Sequence, residues 1–189
     1  MSTQKTDMKW KGKQWYQVVT PNYIGDVVIG ETLISDPNAL KGRVVETSLI
    51  DLMEDSEKFH FKMYFKICEV AGNKAFTKFV GHEITRDFIG RAIQTRTTRI
   101  DTNDVVTFTD GKLRIKALAV TNKNVSIQVD KAIRAAVRAA VLASAKDRKI
   151  EEWVSGMAAG EIQSVIRADL NKVYPIRMFE FRASKLIES

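Results

Sequence analysis

Basic residues interleave with aromatic rings near the start of the chain, in Lys9-Trp10-Lys11-Gly12-Lys13-Gln14-Trp15-Tyr16. Lysine neutralises phosphate and releases counterions, while an indole or phenol ring can stack on an unpaired base. Trp15 and Tyr16 could instead be the first anchors of the hydrophobic core, and for Trp15 we expect that role. The segment therefore predicts RNA contacts from four residues, which are Lys9, Trp10, Lys11 and Lys13.

Arginine and threonine residues are interspersed farther along the chain, between residues 85 and 99. Guanidinium groups and hydroxyls both donate hydrogen bonds to phosphate oxygens. A helix end and the loop after it could therefore bind a nucleic-acid backbone here. The candidate residues are Arg86, Arg91, Arg96 and Arg99.

Three cations, Lys112, Arg114 and Lys116, are separated by single apolar residues. Because side chains alternate across a strand, we expect all three on one face. They form either a ridge that binds phosphates or the charges that protect an edge strand from aggregation. Lys123 and Arg177 complete the set of basic residues predicted to bind RNA.

An acidic cluster is the best candidate for enzymatic chemistry. Asp51, Asp55 and Glu57, together with Glu54 and nearby His60, could hold a magnesium ion for phosphoryl chemistry, which would make the protein a metal-dependent nuclease. Their spacing fits no coordinating loop, and a charge run is usually solvated. A third interpretation is that the stretch 51–57 binds a basic protein partner.

The remaining polar residues predict neither catalysis nor a cofactor. The glycine-rich fingerprints of nucleotide-binding loops are absent from the sequence. No second His or Cys stands at metal-ligand spacing, so we expect His60 at the surface or in a hydrogen bond and His82 in a structural role. Cys68 is expected inside the molecule as a structural thiol. We therefore expect no cofactor and no bound metal.

The charge of the chain is unevenly distributed. The 30 Lys and Arg residues oppose 23 Asp and Glu residues, for a net charge of +7. Residues 21–58 carry −5, whereas residues 112–138 carry +6. This grouping suits a polyanion better than a small substrate. We find no apolar run of membrane-spanning length and no apolar core of a secretory signal, so we expect a cytoplasmic protein without membrane contacts.

Hydrophobic patterning predicts the elements that would position these residues. Apolar residues alternate from Phe59 to Ile67, which indicates a half-buried strand with its partner at 75–80. Asp110-Gly111 predicts a hairpin between strands at 105–109 and 112–121, with both turn residues at positive φ. Further strands are predicted at 15–21, 42–50 and 176–182, and helices at 83–96, at 130–146 with Asp130 as cap, and at 162–173.

Strands near both ends of the chain, with helices between them, indicate one α+β domain. We expect residues 14–189 to form this single domain, with a mainly antiparallel, curved or barrel-like sheet flanked by helices. Residues 1–13 would form a basic N-terminal arm.

Six segments of the chain follow, in order, the motifs of one protein family. The most specific are Gly81-His82-Glu83-Ile84-Thr85-Arg86-Asp87 and Thr97-Thr98-Arg99-Ile100-Asp101, the first of which extends back to residue 77. The others lie at 9–16, 42–47, 61–66 and 174–177. The chain resembles the small-subunit ribosomal protein family S-three-Ae, or e-S-one, of archaea and eukaryotes, and its short C-terminus makes it similar to the archaeal members.

The resemblance implies a structural, non-enzymatic protein on the platform of the small ribosomal subunit, near the 3′ end of the rRNA and the mRNA exit. Its partners would be small-subunit ribosomal RNA, neighbouring platform ribosomal proteins and mRNA near the exit. The acidic stretch 51–57 would face away from the rRNA. The family pattern would place RNA contacts on Lys9, Lys11, Lys13, Arg86, Arg91, Arg96 and Arg99.

Overall fold

The computed structural model describes residues 12–53 and 58–187. Within them the chain forms eight strands and five α-helices. The strands are β1 (Gln14–Val19), β2 (Val28–Ile34), β3 (Val44–Ser48), β4 (Phe61–Ala71), β5 (Lys74–Ile84), β6 (Arg99–Thr107), β7 (Lys112–Thr121) and β8 (Ile176–Ile187). The helices are α1 (Leu49–Met53), α2 (Arg86–Ala92), α3 (Ile127–Ala145), α4 (Ile150–Ala159) and α5 (Glu161–Asn171).

The predicted α+β class is confirmed. Hydrogen bonds connect the strands in the order β2-β1-β5-β8-β7-β6, with β3 paired to β4 and β4 to β5. The sheet is mixed, because β1 pairs with β5 in parallel and with β2 in antiparallel fashion. The order ends at β2 and β6, so the sheet is open and does not close into a barrel. The predicted boundaries of the arm and of the single domain stay predictions.

Several predicted site residues lie outside the part of the chain that the structure describes. They are Lys9, Trp10 and Lys11 of the basic candidates, and Glu54, Asp55 and Glu57 of the acidic cluster.

Among the described residues, no helix is both long and apolar enough to cross a membrane.

The chain divides into two compact units. The first unit contains the described residues up to Thr47 together with Tyr64–Phe79. Its core includes Tyr16 and Val18 of β1 and Ile67 of β4, all nearly inaccessible to solvent. Trp15 is 59% exposed, so the expectation that it anchors the core is wrong.

Cys68 also lies in the first unit, and the expectation that it is buried is wrong because its side chain is exposed. On β4, Phe65 and Ile67 are buried, and Lys66 between them is half-buried and faces the other side. Cys68 follows Ile67 directly and therefore faces the same side as Lys66.

The second unit contains Ser48–Met63 and the described chain from Val80 onward. In it, β8 pairs antiparallel with β5 and β7, and β7 pairs antiparallel with β6. Helix α3 packs on β6 and α5 packs on β8, so these helices cover one face of the sheet. The patterning did not predict α4, although it carries Trp153, which is fully buried.

The hairpin between β6 and β7 forms where Asp110-Gly111 predicts it, but its turn is different. Neither turn residue has a positive φ, and the loop contains four residues, 108–111. It is closed by a hydrogen bond of 2.8 Å from Phe108 N to Gly111 O. Phe108 is buried, and its ring centroid lies 5.7 Å from that of Trp153. This tertiary packing of Phe108 ends β6 at Thr107, earlier than predicted.

Two predicted helix starts are wrong. β5 continues through Ile84 because Glu83 pairs with Ala183 of β8, so α2 begins only at Arg86 and ends at Ala92. Ser126, rather than Asp130, is the N-cap of α3. Asp130 lies inside the helix, where its amide donates to Ser126 O at 2.9 Å.

Candidate nucleic-acid interface

A row of cations crosses the face of the second unit's sheet that lies opposite α3 and α5. Lys112 and Arg114 of β7 are exposed and Lys116 is half-buried, whereas Leu113 and Ile115 between them are at most 1% exposed. The prediction that the three cations share one face is therefore confirmed. β7 has neighbours on both sides, β6 and β8, so the alternative role in protecting an edge strand is wrong.

Strand β8 adds a cation to this row that the sequence analysis missed. Lys185 is exposed and stands directly opposite Arg114 in the antiparallel register. The predicted final strand ended at residue 182, so Lys185 fell outside it. We call Lys112, Arg114, Lys116 and Lys185 the cationic ridge.

A groove of about 430 Å³ lies between α2 and the same sheet face. The ridge residue Lys116 takes part in its lining, and Ile89 and Ile93 supply apolar surface. Glu83 is the acidic residue among its described lining residues. The lining cations, which with this cavity we call the cationic groove, are Arg86, Arg99, Lys116 and Arg182.

Asp101 orients two of the groove arginines. The Arg99 guanidinium donates to both Asp101 carboxylate oxygens, at 2.6 and 3.2 Å, and Arg182 Nη1 lies 3.5 Å from the same carboxylate. These side chains remain about one third exposed, so the ion pairs add little stability. Their effect is to restrict the directions of the two guanidinium groups.

Arg182 reaches the groove through an irregularity of β8. Lys116 pairs with Ala183, but the next residue of β7, Ala117, pairs with Phe181. Arg182 is thus the extra residue of a β-bulge, a device that redirects a side chain. Strand periodicity does not predict a bulge, so the position of Arg182 in the groove could not be predicted from the sequence.

The other predicted candidates are distributed elsewhere. Arg91 and Arg177 line a second cavity of the same unit. Arg96 has φ of 68° in the loop after α2 and is exposed, and Lys123 is exposed just beyond β7. Lys13 belongs to the first unit. From the predicted set, the structure therefore brings together Arg86, Arg99 and Lys116 in the groove, with Lys112 and Arg114 on the ridge beside Lys116.

His82 has the structural role that the sequence predicted. It is 1% exposed, with Nδ1 2.6 Å from Ser184 Oγ and Nε2 2.7 Å from Phe181 O. Since a backbone carbonyl only accepts, Nε2 carries the proton and Nδ1 accepts from the serine hydroxyl. Burial lowers the pKa of His82 to about 4, against the effect of the Phe181 hydrogen bond, so the ring is neutral near pH 7.

His60 is not at the surface, so the first of the two alternatives expected for it, a surface position, is wrong. Its side chain is 6% exposed and its ring stacks on Phe88, with centroids 3.6 Å apart and planes within 5°. Among the described residues, no group of three or more acidic, His or Cys side chains is arranged to hold a metal ion. Asp51 itself is exposed on α1.

We predict that His82 makes the protein less stable in acid. In the unfolded chain the ring takes up a proton below its ordinary pKa of 6.5, whereas in the folded protein it does so only near pH 4. The contribution of His82 to the free energy of unfolding is therefore complete above pH 6.5. It is lost as the pH falls, by about 3 kcal/mol at pH 4. Urea unfolding of wild type and His82→Gln at pH 7.5 and pH 4 measures this loss. The free energy of unfolding is expected to fall more steeply with decreasing pH in wild type than in the variant.

The buried Glu180 carboxyl contributes to stability with the opposite pH dependence. Burial raises its pKa to about 7, although the Gln163 hydrogen bond and two nearby cations act to lower that pKa. It stabilises the fold at low pH and loses that effect as the pH rises toward 7. This contribution is the same in wild type and His82→Gln, so it cancels in the comparison. Equal pH slopes of the two proteins would contradict the role assigned to His82.

Comparison with known proteins identifies relatives along the whole chain. The model of the Ribosomal S3Ae family matches residues 1–189. "Small ribosomal subunit protein eS1" of Methanothrix thermoacetophila is 40% identical over 178 residues, which cover 94% of this chain and 84% of the relative. The proteins of the same name are 36% identical in Methanoregula boonei (94% and 89% covered) and in Desulfurococcus amylolyticus (95% and 84% covered).

Proposed function

Because the chain belongs to the Ribosomal S3Ae family, we propose that it is a structural constituent of the small ribosomal subunit that binds rRNA through the cationic ridge and groove. The relatives are ribosomal proteins, so the protein is not an enzyme and works in the cytoplasm, in the small subunit. The metal-dependent nuclease based on Asp51, Asp55 and Glu57 is thereby excluded.

The ridge and groove are the observation that carries the proposal. Seven cations lie on one sheet face and the helix beside it, and an RNA backbone presents one negative charge per nucleotide. Phosphate contacts of this kind position a protein on RNA without reading its sequence. Such contacts suit a structural role on a folded rRNA. The seven residues are Arg86, Arg99, Lys112, Arg114, Lys116, Arg182 and Lys185.

The family motifs in the sequence support a finer location. We propose a position on the platform of the subunit, near the 3′ end of the rRNA and the mRNA exit. Its protein neighbours would be other platform ribosomal proteins, and mRNA would pass close by. The acidic stretch 51–57 would face away from the rRNA, and its partner would be a basic neighbouring protein.

Co-sedimentation tests the proposal. Purified full-length protein, mixed with archaeal small subunits stripped of their own copy, is expected to sediment with them at low salt and through moderately high salt. A bound structural protein is held by many phosphate contacts together with protein neighbours, so partial screening leaves it attached. Failure to co-sediment even at low salt would contradict the proposed function.

A further inference from the structure

A second cavity of the second unit combines apolar walls with two cations. Its volume is about 410 Å³, within the range of about 300 to 1,000 Å³ that is typical of ligand pockets. Phe59, Phe88 and Met178 line it, and the charged residues among its described lining are Arg91 and Arg177. The cavity therefore offers aromatic faces beside two guanidinium groups.

The aromatic rings of this cavity are held in place and accessible. Phe88 is stacked on the buried His60 ring at 3.6 Å, which fixes the inner wall. Phe59 is 48% exposed and meets the His60 ring edge-on at 5.5 Å. The accessible face of the Phe59 ring can therefore stack against a flat ligand in the cavity.

The two arginines are oriented by local contacts. Arg91 Cζ lies 5.8 Å from the centroid of the Phe59 ring, and Arg91 Nε donates to Asp87 O at 3.4 Å. Arg177 donates from Nη1 to Gln94 Oε1. These contacts place two positive groups at the rim of an apolar cavity.

We propose that this cavity takes one unpaired nucleobase of the bound RNA, with the base stacked on Phe59 and the adjoining phosphates bound by Arg91 and Arg177. The inference rests on the proposed rRNA binding and assigns it a specific subsite. RNA-binding proteins recognise unpaired bases by stacking them on aromatic rings and guanidinium planes. A nucleotide supplies both the flat apolar ring and the negative charge that the cavity complements. An apolar protein side chain would bring no negative charge to the two guanidinium groups.

The test uses an RNA hairpin with one bulged 2-aminopurine and the same hairpin without the bulge. Wild type is expected to bind the bulged hairpin more tightly than the hairpin without the bulge, and binding is expected to change the 2-aminopurine fluorescence because the base leaves its RNA neighbours for the cavity. Phe59→Leu keeps apolar bulk but removes the ring, so it is expected to lose about tenfold in affinity for the bulged hairpin only. Phe59→Trp is expected to retain the affinity.

Phe76→Leu is the matched control, since Phe76 is also a phenylalanine, is 40% exposed and does not line the cavity. It is expected to behave as wild type toward both hairpins. Equal affinity of wild type and Phe59→Leu for the bulged hairpin would overturn the inference and leave a protein side chain as the occupant. Failure of wild type to bind either hairpin at low salt would instead count against the proposed RNA binding itself.

Discussion

Replacing Arg86, Arg114 and Lys116 together by glutamine is expected to lower the affinity of the full chain for small-subunit rRNA on the order of a hundredfold at 0.1 M salt. Arg86 lines the groove, Arg114 lies on the ridge, and Lys116 belongs to both. Each phosphate contact that is lost also loses the release of about one counterion, which is worth about five- to eightfold at this salt concentration. Filter binding measures the change directly.

A charge-matched variant separates this effect from a change in net charge. Lys146, Arg148 and Lys149 are exposed in the loop between α3 and α4, outside the ridge and the groove. Their triple replacement by glutamine removes the same three charges and is expected to change the affinity less than about threefold, because none of the three belongs to the ridge or the groove and exposed charges that do not contact the RNA are largely screened by salt. Similar losses in the two triple variants would show that no particular surface binds the RNA.

Trp153→Ala is expected to have the largest effect on stability, a loss of about 3 to 5 kcal/mol in the free energy of unfolding. The Trp153 ring is fully buried between Phe108 and Phe181, at centroid distances of 5.7 and 5.1 Å, and its Nε1 donates to Ser144 Oγ. Truncation leaves a cavity that rigid neighbours cannot fill. A loss of this size is a large part of a typical domain's stability, which is about 5 to 15 kcal/mol.

Trp15→Ala provides the comparison, because the same residue type is removed from a position that is 59% exposed. We expect a change of about 0.5 kcal/mol in urea unfolding. If Trp15→Ala were the more destabilising of the two, the packing described for α4 would be wrong.

The ridge could be predicted because strand periodicity is a local property. The alternation of Lys112, Arg114 and Lys116 with apolar residues determines their common face whatever β7 packs against. The same rule, applied to β1, would have predicted that Trp15 is exposed. Gln17 shares its face, whereas Tyr16 and Val18 share the buried one.

The sequence pattern of α4 is also typical of a helix with one buried face, although no helix was predicted there. Its buried residues Trp153, Val154, Met157 and Ala158 follow helical spacing. A whole element, and the largest buried side chain of the second unit, could therefore have been predicted from the sequence.

Other features depend on tertiary contacts and could not be predicted from local patterns. Arg182 enters the groove only because β8 contains a bulge. His60 follows the polar side of the β4 alternation, yet it is buried by stacking on Phe88 of α2. The four-residue turn after β6 results from the packing of Phe108 on Trp153. Each involves partners far apart in the sequence, and those partners override the local preference.

The salt dependence of rRNA binding tests most directly whether the ridge and groove bind phosphates. The slope of the logarithm of the binding constant against the logarithm of salt concentration counts such contacts, at about 0.7 to 0.9 per phosphate. The variant lacking Arg86, Arg114 and Lys116 is expected to show a slope about 2 to 3 smaller in magnitude than that of wild type. Equal slopes for the two proteins would contradict the account, because the three cations would then contact no phosphate.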